Sequence, residues 1–275
     1  MKYNNRKLEK WGIIFFSEVY MSTWRDIWKK SLKANRLYSL DESEGNYYLA
    51  ELSRKYEQEK KDGMIHYALA EALEFRNEKE KALKEYKLAK DLFPVEHWKE
   101  VAQQTIERVS LNKTAEEFFD KNDFKTLLWY TYQKVYEYVY LDDFVRYVCL
   151  SAISRADSEW SLSLVDFRSV LELQIKTTFH DIVQKYIDAK NYSLENIIKE
   201  LQSSKLISGS IATAMHKIRK SGNAATHQMK LFDDEDENNY WKSFSKDDSD
   251  NLNYLLTILD FFNKYNRDHK IQFSD

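Results

Sequence analysis

Apolar side chains recur every three or four positions over most of this chain, with polar ones between them, the pattern of helices that bury one face. In residues 1–60, Trp11, Ile14, Phe15, Tyr20, Trp24, Ile27 and Trp28 form an aromatic stripe at that spacing. Core packing accounts for such a stripe, and an aromatic ligand box is the sharper alternative. A break is expected across residues 39–46, then a helix from Tyr47 that stops at Lys60-Lys61-Asp62-Gly63, a basic last turn followed by glycine. One helical segment then runs to Phe75, a second carries Ala82, Tyr86 and Ala89, and Pro94 closes the unit. Helices over 47–61 and 96–111 flank it.

Further on, Thr114 and Glu117 have capping-box spacing. Residues 124–150 are dense in aromatics, but Phe124, Leu128, Tyr132, Val135 and Val139 share one stripe, which packing explains. Interleaved Lys125, Lys134 and Arg146 leave a base-stacking platform as the alternative. A long helix is expected over 160–187, with Leu164, Phe167, Leu171, Ile175, Phe179 and Ile182 inward and Arg168 and Glu172 at i,i+4 on a neighbouring face. Ser193 caps the next helix, a break falls at 205–210, and a closing helix spans 251–266.

Composition agrees with the periodicity. Five Gly and one Pro in 275 residues are too few for a strand-rich fold, so the chain reads as all-α. A boundary near residue 112 would divide it into an N-terminal region, 1–111, and a C-terminal bundle, 112–275. Forty-two basic and 45 acidic residues give a formal charge of −3, so nucleic-acid or membrane binding would need a local patch. Cys149 stands alone, which excludes an intrachain disulfide and a cysteine-rich zinc site. The apolar run at 11–16 is too short for a signal sequence, and no run of about 18 apolar residues exists. A cytoplasmic location and no membrane partner follow as expectations.

The candidate chemistry lies in residues 216–227. Arg219, Asn223 and His227 fall four apart, which puts a cation, an amide and an imidazole on one helix face, with Lys217 and Lys220 beside them. Gly222 costs about 1 kcal/mol relative to Ala in a helix interior, so it marks either a close backbone approach or a helix that stops and restarts. In a structural reading the stretch is a brace: Arg219 pairs with Glu172, and Asn223 and His227 satisfy backbone groups near Gly222. Glycine-rich phosphate loops and nucleophile elbows are missing, and His66, His97, His180, His216 and His269 lack metal-ligand spacing. Neither metal nor cofactor is called for. The acidic run at 233–237 reads as a solvated loop.

Two stretches resemble known families. Residues 63–96 resemble one tetratricopeptide repeat, with Leu69, Ala70, Leu73, Ala82, Tyr86, Ala89 and Pro94 at its packing positions, and His66 and Asn77 departing from it. That resemblance implies helical hairpins docking a protein partner. Residues 155–230, through Arg168…Glu172 and Arg219-x-x-Gly222-Asn223-x-Ala225-x-His227, are similar to the small helical domain of unknown function at the start of type I restriction endonuclease motor subunits, grouped with the HEPN superfamily. It implies an antiviral-defence or toxin-type component that engages RNA, acting as a homo-oligomer or a subunit of a complex. In cutting members it implies metal-independent RNA cleavage by a site composed from two protomers. Arg219 would hold phosphate, His227 would be general acid or base, and Asn223 would orient it. The cutting members separate the two residues by four to six positions; here seven intervene, which turns them by about 80° around a helix. A non-catalytic adaptor is the competing function.

Overall fold

A computed structural model describes residues 18–56, 62–156, 159–229, 246–271 and 273, and only the backbone of 18–25, 55, 227–229 and 246–247. Among the described residues there are thirteen helices and no strand. They are α1 (Glu18–Leu40), α2 (Glu42–Lys55), α3 (Gly63–Phe75), α4 (Lys79–Leu92), α5 (Glu96–Ser110), α6 (Ala115–Phe118) and α7 (Phe124–Glu137). There follow α8 (Asp143–Arg155), α9 (Trp160–Thr178), α10 (His180–Asp188), α11 (Leu194–Ser203), α12 (Gly209–Met229) and α13 (Lys246–Asp268). No described helix is long and apolar enough to cross a membrane.

Side-chain oxygens start these helices. Asp41, Asp62, Asp123, Asp142 and Ser193 each accept a hydrogen bond from an amide in the following first turn. Thr114 and Glu117 complete the capping box that their spacing predicts. The helix ends do without glycine: Asn77, Asn112, Lys190, Lys205 and Lys270 take the left-handed conformation there, with φ between 51° and 61°.

Three of the four described glycines, Gly45, Gly63 and Gly222, instead sit where backbones meet. The expected break at 39–46 shrinks to Asp41 alone, because Gly45 lies inside α2 and a Cβ there would fall 2.3 Å from the Tyr38 backbone. Gly63 opens α3 rather than closing the helix before it, since Asp62 caps forward onto Met64. The helix expected over 160–187 divides at Phe179 (φ −117°, ψ 42°) into α9 and α10.

Packing runs from α2 through α1, α3 and α4 to α5, and separately from α1 through α8, α9 and α12 to α13, which returns to α7. One buried core joins Trp28 and Tyr67 to Leu128, Tyr132, Phe167 and Phe262, on both sides of residue 112. Trp28 stacks on Tyr132 at 6.1 Å and meets Tyr147 edge-on at 5.9 Å. Ile27 is buried as well, while the side chains of Trp11, Ile14, Phe15, Tyr20 and Trp24 lie outside those described. In the 124–150 stretch Leu128, Tyr132, Val135 and Val139 are buried together, Arg146 is fully enclosed, and Lys125 and Lys134 are taken up by Glu100, Glu116 and Glu137. The stripe that carries Tyr132 is therefore core, while Phe144 is exposed and Tyr140 lines a surface cleft.

Glu71 is an exception inside that core. It is 2% exposed, and neither carboxylate oxygen has a hydrogen-bond partner. Burial pushes its pKa well above 4.5; the Tyr132 hydroxyl opposes this, Glu74 adds to it, and Arg108 and Arg146 oppose it from farther off. A raised folded pKa means that the native state holds the proton more tightly than the unfolded chain does. The associated stability is complete below pH 4.5 and is lost as pH rises towards the folded value. Glu71→Gln should therefore melt above the wild type at pH 8 and converge with it near pH 4. A gap that does not change with pH would show that Glu71 does not ionise differently on folding.

Candidate functional site

α12 carries the chemistry found in the sequence. Its buried face holds Ala214, Met215, Ile218 and Ala225, which seat it against α9, α11 and α13. The helix continues through Gly222 without a break. A Cβ on Gly222 would lie 2.5 Å from Arg168 Cβ and 2.8 Å from the Leu164 carbonyl oxygen, so the glycine allows α12 to touch α9. Next to it, the Ser221 hydroxyl donates to Asn251 Oδ1 of α13 at 2.8 Å. Of the two readings open for Gly222, the close approach is the one the backbone takes.

That contact sets where the polar groups point. Arg219 is only 14% exposed, and its Nη2 lies 3.0 Å from Glu195 Oε2 of α11, while its Nε is buried without a partner. The expected pairing with Glu172 is therefore replaced by one with Glu195. Glu172 instead holds Lys176 at 2.8 Å, accepts the Tyr192 hydroxyl at 2.6 Å and lies 3.8 Å from Arg168 Nη2. Arg168 serves as packing beneath Gly222 through its aliphatic stem. Glu195, on the exposed side, also binds Lys199 at 2.8 Å. That hydrogen bond and then the Arg219 charge hold its carboxyl below the usual range.

His216, one helical turn before Arg219, joins this group. Burial, and then the Arg219 charge, pull its pKa below 6.5, so the imidazole is mostly neutral at pH 7. Its Nδ1 is buried and unpartnered. Lys217 and Lys220 are exposed on either side of Arg219. Asn223 is half-buried and makes no side-chain hydrogen bond among the described residues. His227 lies on the α12 backbone, but its side chain is outside those described, as is the acidic run at 233–237.

The structure thus gives Arg219 a partner that the sequence reading lacked, Glu195, and draws His216 and Lys220 into the same group, while Lys217 lies farther round the helix. Glu195 sits in an unremarkable amphipathic helix, and no spacing in the chain ties it to α12. His216 had a signal, three positions before Arg219, which places both on one helix face. Among the described residues no three His, Cys, Asp or Glu side chains gather as metal ligands would. Residues 151–246 match the family described as Domain of unknown function (DUF4145). The stretch contains Arg168, Glu172, Glu195, His216, Arg219 and Asn223. No curated protein and no solved structure gives a significant match to the chain.

Proposed function

We propose that this protein engages RNA along the α11–α12 face, as a helical component of the defence or toxin type. The observation that carries the reading is one edge where a neutral imidazole, a guanidinium and a carboxylate lie together, with exposed Lys220 and then Lys217 farther round the same helix. The likeness of residues 155–230 to the HEPN-grouped helical domain supports RNA as the polyanion and a site completed by a second protomer.

Metal-independent cleavage is the finer form of the proposal. A phosphate oxygen exchanges with Glu195 on Arg219, and neutral His216 accepts the proton of the ribose 2′-hydroxyl. The 2′-oxygen bonds to phosphorus, the bond to the 5′-oxygen breaks, and that oxygen takes a proton from water. The products are a 2′,3′-cyclic phosphate and a 5′-hydroxyl. In the resemblance this acid–base role belongs to His227, so both histidines are tested.

Incubation of single-stranded RNA with the chain in a chelator is the assay. His216→Ala and Arg219→Ala should each lower cutting at least 100-fold, within the general acid–base range of about 10²–10⁴. Cutting should also fall at acid pH as His216 becomes protonated, at a pH below the ordinary 6.5 because burial and the Arg219 charge oppose the cation. Loss in His227→Ala alone would assign the base to that residue. A second reading, a non-catalytic adaptor, is favoured by the α3–α4 hairpin, where Ala70, Ala82, Tyr86 and Ala89 are buried at the tetratricopeptide-like positions. Failure of the wild type to bind or cut RNA, with Arg219→Ala merely melting lower, would decide for the adaptor.

A further inference from the structure

A second basic feature lies away from α12, where the C-terminal half of α1 faces the end of α13. Two clefts of about 750 and 360 Å³ open there and share Lys33, Arg36, Tyr48 and Phe273, so they form one continuous trough. The larger falls within the ~300–1,000 Å³ of small-molecule sites. Lys29, Lys33 and Arg36 lie at i, i+4 and i+7, on one stripe of α1, and Arg267 and Lys270 close the far side. With Lys30 the walls carry six cations against three acids, Glu44, Asp142 and Asp143, in a chain whose overall charge is negative.

The α1 cations are held in place rather than trailing in solvent, while Arg267 and Lys270 are exposed and Arg267 lies 3.0 Å from Asp268. Lys29 Nζ stands 4.6 Å from the Tyr147 ring centre and 5.5 Å from that of Phe144, and Lys33 Nζ stands 5.9 Å from that of Tyr48. Arg36 Nε is fixed at 2.9 Å from Asp143. The wall opposite is fixed too: Tyr140 N donates to Asn263 Oδ1 at 3.0 Å, and Asn266 Nδ2 donates to Tyr140 O at 2.9 Å. Tyr48, Tyr140 and Phe273 set aromatic surface among the charges.

We propose that this trough binds a nucleotide unit, with phosphate against Lys33, Arg36 and Arg267 and the base against Tyr48 and Tyr140. A phosphate alone, or an acidic peptide, would leave the rings unused. The unit has two sources, a free nucleotide or a segment of single-stranded nucleic acid, and both present the same chemistry. The site is separate from α11–α12 and does not depend on the role proposed there.

The test uses the full chain, with ATP and inorganic phosphate followed by calorimetry and a fluorescent ten-nucleotide RNA followed by polarisation. Lys33→Glu/Arg267→Glu should weaken nucleotide binding at least tenfold, and Lys33→Gln/Arg267→Gln by a smaller factor, both with unchanged melting. Tyr48→Leu should weaken ATP binding and leave phosphate as it was. Lys217→Glu/Lys220→Glu should leave ATP binding within twofold, which keeps this site distinct from α12. ATP binding without RNA binding at the trough assigns the free nucleotide, and RNA binding lost in the trough variants assigns the strand. The proposal is overturned if neither ligand binds the wild type, if the trough variants bind as the wild type does, or if only an acidic peptide such as polyglutamate competes.

Discussion

Arg76→Ala should cost about 3–5 kcal/mol, because buried acceptors lose hydrogen bonds to a charged group worth about 1.5–3 kcal/mol each. Arg76 is 7% exposed and uses every N–H it has. Nε donates to Asn46 Oδ1 at 3.0 Å, Nη1 to Asn35 Oδ1 at 2.8 Å and Ala72 O at 2.7 Å, and Nη2 to Ala34 O and Gly45 O at 3.0 Å each. One guanidinium thereby ties α1, α2 and α3 together at the reversal that Gly45 permits. Alanine would strand the Ala72 carbonyl and Asn35 Oδ1 in a dry site, take a second bond from the Ala34 and Gly45 carbonyls, and leave a cavity as well. The melting temperature should drop on the order of 10 °C for a chain of this size. Arg76→Lys should fall in between, since an ammonium cannot span five acceptors. Urea unfolding that shows less than about 1 kcal/mol for the alanine variant would mean that water takes over the bonds.

How much of this was visible beforehand follows from which interactions are local. Periodicity and caps are written within four residues, so the helical class, the Thr114–Glu117 box and the Ser193 cap could all be read directly. The glycines could not, because their meaning lay in a distant helix: Gly45 reads as a break until the Tyr38 backbone is seen beside it. Left-handed Asn77, Asn112 and three lysines close helices where no glycine stands, and nothing in the spacing marks them. At the candidate site the same limit applies. The Arg219 position was legible, but its acid was not, since Glu172 and Glu195 both lie on helices that pack near α12 and only the tertiary fold chooses between them. The choice is set by Gly222, which brings α12 down onto Arg168 and leaves Arg219 turned towards α11.

Gly222→Val therefore tests the arrangement from below. Its Cβ would sit 2.5 Å from Arg168 Cβ and 2.8 Å from the Leu164 carbonyl oxygen, so the two helices must part; overpacking of this kind costs about 3 kcal/mol. Gly222→Ala should cost less, because helix propensity returns about 1 kcal/mol. The clash involves a Cβ and a backbone oxygen, neither of which a shorter side chain at position 168 removes. Arg168→Ala should thus fail to rescue Gly222→Val, with a coupling in the double-mutant cycle under about 0.5 kcal/mol. Full rescue would place the contact at the flexible end of Arg168 instead, and α12 would then have room to move. RNA binding by the folded fraction separates the two roles of the motif. If Arg219 acts through α11 alone, that fraction binds as the wild type does; if the α9 contact sets the guanidinium, binding falls together with stability.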